Sequence, residues 1–100
     1  MNEFKVGQVV RSIAGRDKGQ FMVVIEVVND HFTTVSNGKL RKVSNPKRKK
    51  VKHLAKTNHI ATDIRDKILN GKKITNAEIR KILESYHMPD GIGDENREEV

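Results

Sequence analysis

The chain has 100 residues, 35% of them apolar, which suffices for one small domain with an appendage and not for two hydrophobic cores. Its 20 Lys and Arg against 13 Asp and Glu leave a net charge of +7, and the lack of cysteine excludes a disulfide framework, a thiolate metal site and a cysteine nucleophile. The longest apolar run, Phe21 to Ile25, is far short of the ~20 residues that span a bilayer, and Met1-Asn-Glu-Phe-Lys5 lacks the apolar stretch of a signal peptide, so a cytoplasmic protein with no membrane partner is expected.

Short runs rich in β-branched residues predict five strands, at Val6–Ile13, Gln20–Val28, His31–Val35, Lys39–Val43 and Lys50–Leu54. The connections carry turn chemistry: a loop from Ala14 to Gly19 with two glycines, a tight link at Asn29-Asp30, and Ser36-Asn37-Gly38-Lys39, where Asn-Gly suits a type I′ hairpin turn. Asn45-Pro46 ends a strand, since proline donates no ladder hydrogen bond. Lys47 to Lys50 then follow in an exposed connection. Five strands this short bury their apolar face most economically in a small, strongly bent barrel over residues 1–56. On the longest strand Phe21, Val23, Ile25 and Val27 share one face, and Met22, Val24 and Val28 form a second that the C-terminal helices are placed to cover.

Residues 57–88 read as a helical hairpin. Thr62 is the candidate cap of a first helix whose Ala61, Ile64, Ile68 and Leu69 fall on one side, and Asn70-Gly71 closes it with a left-handed residue. Thr75-x-x-Glu78 is a capping box for a second helix. Ile79, Ile82, Leu83 and Tyr86 follow at the spacing of a buried stripe, and Pro89 stops it. Residues 89–100, acidic and almost without apolar side chains, are expected to be a disordered tail.

Charge divides along the chain. Residues 1–56 hold 13 Lys or Arg against 4 acids, a net +9, and residues 57–100 hold 7 against 9, a net −2. No acid occurs between Asp30 and Asp63, and nine Lys or Arg lie within residues 39–56. Such a run repels itself until a polyanion supplies the missing charge, and nucleic acid is the leading candidate. The candidate RNA-binding residues are Arg11, Arg16, Lys18, Lys39, Arg41, Lys42, Lys47, Arg48, Lys49, Lys50, Lys52 and His53. Gly15 and Gly19 shape the loop that presents Arg16 and Lys18. With three Phe, one Tyr and no Trp, stacking of splayed bases has little material; Phe21 and Phe32 are assigned to the core, and His31 and His53 remain as stackers. Recognition of phosphates and shape is expected, with Arg11, Arg41 or Arg48 adding bidentate contacts.

The string from Gly15 through Gly19 to Val24 resembles a KOW motif, with Gly19 at its characteristic glycine. Gly38-Lys-Leu-Arg-Lys-Val-Ser-Asn-Pro-Lys-Arg-Lys-Lys-Val-Lys-His-Leu54 resembles the bacterial KOW-domain RNA-binding proteins, a group similar to the fourteen-e type large-subunit ribosomal proteins of archaea and eukaryotes. The likeness covers roughly residues 4 to 57. It implies a five-stranded SH3-like barrel that binds RNA, ribosomal RNA in particular, as a ribosome-associated component or factor.

Other chemistries find less. His53, His59 and His87 match no ligand spacing, so no metal site is expected, and no cofactor. Asp63 and Asp66 suit a helix N-terminus better than a carboxylate pair, and Gly15-x-x-x-Gly19 lacks the lysine and hydroxyl of a P-loop, so no catalytic residue is assigned. The alternative to RNA binding is an adaptor whose barrel or hairpin docks a ribosomal protein or a transcription or translation factor. An exposed apolar stripe on the second helix would favour it.

Overall fold

The computed structural model describes residues 2–86, so the expected acidic tail and the Pro89 stop lie outside the described residues. Five strands form one antiparallel sheet: β1 (Gln8–Ser12), β2 (Phe21–Val27), β3 (Phe32–Ser36), β4 (Lys47–Lys50) and β5 (Leu54–Ile60), in the order β4-β3-β2-β1-β5. The edge strands β4 and β5 are consecutive in the chain, joined by the 3-10 turn Val51–His53. Three residues cannot span a flat five-stranded sheet, so the sheet must curl until its edges approach. The Val51 amide bonds the His31 carbonyl at 2.8 Å, and the His53 carbonyl accepts the Ile13 amide at 2.9 Å, so this turn ties both ends of the curl. A register irregularity between Val24 and Glu26 adds bend to β2. No ladder joins β4 to β5 in the described residues: the sheet is open, not a closed barrel.

The fourth expected strand, Lys39–Val43, does not form. The Asn37 side chain accepts the backbone amides of Lys39 and Arg41 at 2.9 and 3.0 Å, and the Arg41 carbonyl takes the Asn37 and Gly38 amides and the Ser36 hydroxyl. A side chain that occupies these amides makes a loop in place of a two-residue hairpin turn. The ladder of β3 instead passes to the segment expected as a connection, with Val35 opposite Lys47 and Phe32 opposite Lys50. β5 correspondingly starts at Leu54 and extends to Ile60, past the expected boundary at residue 56.

Both faces of β2 are covered, but not as the pattern suggested. Met22 and Val24 point into the curl with Phe4, Val10, Val35 and Leu54. The helices cover the other face, where Val9 and Val23 meet Ala61, Ile64, Ile79 and Leu83, with Phe21 and Ile25 packed at the margin. Val27 and Val28 are exposed. The Met22 face is served by the sheet's own curl, which leaves Phe21, Val23 and Ile25 for the helices.

Helix α1 (Thr62–Leu69) starts at the expected cap, one residue earlier than expected: Ala61 is the N-cap, with no side-chain hydrogen bond, and Thr62 is already helical. Leu69, expected on the buried side, is exposed, while Ile64 is buried. Its C-terminus closes as a Schellman motif, the Gly71 amide on the Ile68 carbonyl and the Lys72 amide on the Lys67 carbonyl. In α2 (Asn76–Leu83) the capping box of Thr75 and Glu78 is present in both directions, and Lys67 of α1 is ion-paired with Glu78. Ile79 and Leu83 are fully buried against the sheet. The start of α2 also docks the 37–46 loop: a Cβ on Gly38, at φ +73°, would lie 2.5 Å from the Asn76 carbonyl oxygen. Glycine is required there by both the close approach and the backbone angle. Arg80 donates to the Gly38 carbonyl at 2.7 Å, and the Asn76 side chain accepts the Val43 amide at 2.8 Å.

Candidate nucleic-acid interface

Two loops meet at one end of the sheet, residues 13–20 between β1 and β2 and residues 37–46 between β3 and β4. The Asn37 side chain donates to Gln20 Oε1 at 3.0 Å, which couples them directly. The first loop is held from inside. Asp17, the sole acid between Glu3 and Glu26, is buried and accepts Ser12 Oγ at 2.7 Å and Lys49 Nζ at 2.6 Å. Lys49, also buried, donates in addition to the Ala14 carbonyl at 2.8 Å, and Lys47 approaches Asp17 Oδ2 at 3.4 Å. Burial alone would raise the Asp17 pKa; the hydrogen bonds from Lys49 and Ser12 and the charges of Lys49 and Lys47 outweigh it and hold the carboxyl at about 2. With Asp17 turned in, Arg16 and Lys18 are exposed on either side of it. Gly15 and Gly19 carry φ of +88° and +91°, and the Gly19 amide bonds the Ser12 carbonyl at 2.7 Å, so both shape the turn.

The structure divides the sequence-predicted cations. Arg11, Arg16, Lys18, Lys39, Arg41, Lys42, Arg48, Lys50 and Lys52 are exposed, and none has a carboxylate partner among the described residues. Lys47 is half-buried, and Lys49 is drawn into the fold as Asp17's partner, so the run is not the exposed connection expected. Strand alternation is the reason: Lys47 and Lys49 point to the inner side with Val35 and Thr33, their register partners, while Arg48 and Lys50 point outward with Thr34 and Phe32. The Arg48 guanidinium lies 4.6 Å from the centre of the Phe32 ring, which is half-buried and not in either core. His53 is half-buried in the 3-10 turn.

These residues fall into local groups. Arg16, Arg41 and Lys47 line one cleft across both loops, together with Gln20, Leu40 and Asp17, whose Oδ2 lies 3.4 Å from Lys47. Arg11 and Lys18 border a smaller depression beside Gly19. Lys50 and Lys52 lie with His31 around Phe32 at the β2–β3 turn. Sequence reasoning missed Asp17, although a single acid centred in a basic loop was the available signal. The pattern of Leu40, Val43, Val51 and Leu54 between the cations suggests positions that could face a core, and Leu40 does not: it is 78% exposed between Lys39 and Arg41, in a loop where no strand alternation turns it inward. No helix among the described residues is long and apolar enough to cross a membrane. No protein-family model matches the chain.

Proposed function

We propose that this protein is a non-catalytic RNA-binding protein, its curled sheet a KOW-type SH3-like barrel, and that it engages ribosomal RNA as a component or accessory factor of the ribosome. The observation that carries the reading is the convergence of Arg16, Arg41 and Lys47, from distant parts of the chain, on one cleft of the loop end. Lys39, Lys42 and Lys18 extend that charge on the same two loops without carboxylate partners among the described residues. Exposed cations on a rigid frame suit phosphates at fixed spacing, and the inward pair of Asp17 and Lys49 supplies the frame. The adaptor alternative loses its main support, because Ile79 and Leu83 of the α2 stripe are buried on the sheet.

A salt titration of RNA binding tests the reading. Neutralising four to six phosphates predicts a slope of log affinity against log salt of about −3 to −5, whereas a slope near zero means that this surface is not the binding surface. Crosslinking in cells followed by sequencing of bound RNA identifies the target: enrichment of one ribosomal RNA region is expected, and no bound RNA would return the adaptor.

A further inference from the structure

Beside the cationic cleft lies a second one of about 400 Å³ with different chemistry. Its apolar lining is Phe21, Leu40 and Tyr86, and its polar lining is Gln20, Asn37 and Lys39. Tyr86 is fixed in place: its ring lies 5.0 Å from Phe21 and 5.7 Å from His59 between centres, and its hydroxyl is 2.8 Å from His59 Nδ1. Asn37 is committed, its oxygen to the Lys39 and Arg41 amides and its nitrogen to Gln20 Oε1. That bond orients the Gln20 amide and leaves its nitrogen as a donor with no partner among the described residues. Nothing in the fold accounts for Leu40, 78% exposed at the tip of a loop of cations. Gln20 and Leu40 line both clefts, so an apolar slot with an amide donor adjoins a trio of cations.

A flat apolar body beside an anion is the chemistry of a nucleotide. Resting on the RNA-binding reading, we infer that this cleft takes one unpaired base of a bound RNA. The base packs between Leu40 and the edge formed by Phe21 and Tyr86 and accepts a hydrogen bond from Gln20, while its phosphates lie toward Arg16, Arg41 and Lys47. The ligand is therefore a bulged or looped nucleotide within folded RNA, not a uniform duplex. This differs from the expectation of recognition by phosphates and shape alone, since Tyr86 enters the basic half only through tertiary packing.

Two RNA hairpins of equal length, each closed by a non-nucleotide linker so that neither has a loop base, test it, one with a single bulged 2-aminopurine in the stem and one fully paired, measured by fluorescence anisotropy over the same series of salt concentrations. The bulged hairpin is expected to bind at least about tenfold more tightly, and 2-aminopurine emission to change on binding. Leu40→Ser, at an exposed position, and Gln20→Glu, which keeps the Oε1 acceptor for Asn37 and removes the amide donor, should each reduce the preference below about twofold, and Leu40→Ser, which changes no charge, should leave the salt slope of the paired hairpin unchanged. Equal affinity for the two hairpins with a steep salt slope overturns the base site and leaves RNA binding standing. Salt-independent or absent binding to both removes the RNA reading as well.

Discussion

Two cationic stretches of nearly the same composition, Lys39-Leu-Arg-Lys42 and Lys47-Arg-Lys-Lys50, end up with different work. In the loop no alternation applies, and Lys39, Arg41 and Lys42 are all exposed with no carboxylate partner among the described residues. In β4 the two-residue period sends Lys49 inward to Asp17 and Arg48 and Lys50 outward. A run of like charges is therefore not one functional unit: a strand splits it into a part that builds the fold and a part that faces a partner. Neutralising all of Lys47 to Lys50 at once would mix the two.

The largest effect expected from that split is on stability. Lys49→Met leaves Asp17 buried with its main partner gone and should cost about 3 kcal/mol in chemical denaturation, while Arg48→Gln stays within about 0.5 kcal/mol. Equal, small losses for both would show that β4 does not divide the run.

Acid probes the same pair without mutation. The Asp17 carboxyl has a folded pKa lowered to about 2 from its ordinary value of 3.8, so its contribution is present above pH ~4 and is lost as pH falls through the folded value. Roughly 2 kcal/mol should disappear between pH ~4 and ~2, and Asp17→Asn should flatten that part of the stability profile. An unchanged profile in that variant would break the assignment.

Binding should respond in the opposite pattern. Lys39→Gln, Arg41→Gln and Lys42→Gln combined are expected to weaken RNA binding about tenfold or more and to make the salt slope shallower by about 2 to 3, with the melting temperature unchanged. Arg48→Gln with Lys50→Gln should give the smallest effect, about threefold, because two cations on the outward face of β4 are removed and Arg48 is already engaged with Phe32. A larger loss from the β4 pair than from the loop triple would move the interface to the outer face of the sheet.

Patterns confined to a few neighbouring residues are legible in the sequence alone. The β2 alternation over Phe21 to Ile25, the Thr75 capping box and the Gly71 helix end each appear where expected, because each depends on contacts within about one turn or one strand. The number of strands is legible as well, and so is the acid-free gap. Where the fourth strand lies is not, because that depends on whether Asn37 satisfies its neighbours' amides by side chain or leaves them to a ladder. Hydrogen bonds from α2 to Gly38 and Val43 add tertiary support to the loop that no local pattern contains.

The sequence by itself determined a small β-rich domain with a strongly basic first half, a glycine-flanked basic loop and two helices, one ended by Gly71 and one opened by the Thr75 capping box, since composition, period and these end signals are local quantities. Tertiary structure alone decided which face of β2 the helices cover, which lysine of a continuous run is buried, and that Leu40, Gln20 and Tyr86 line one cleft. The physical reason is separation along the chain: Asp17 and Lys49, or Phe21 and Tyr86, meet only because the sheet curls and the helices close over its outer face. No short window of sequence contains both partners, so the contact is set by the packing of the whole chain.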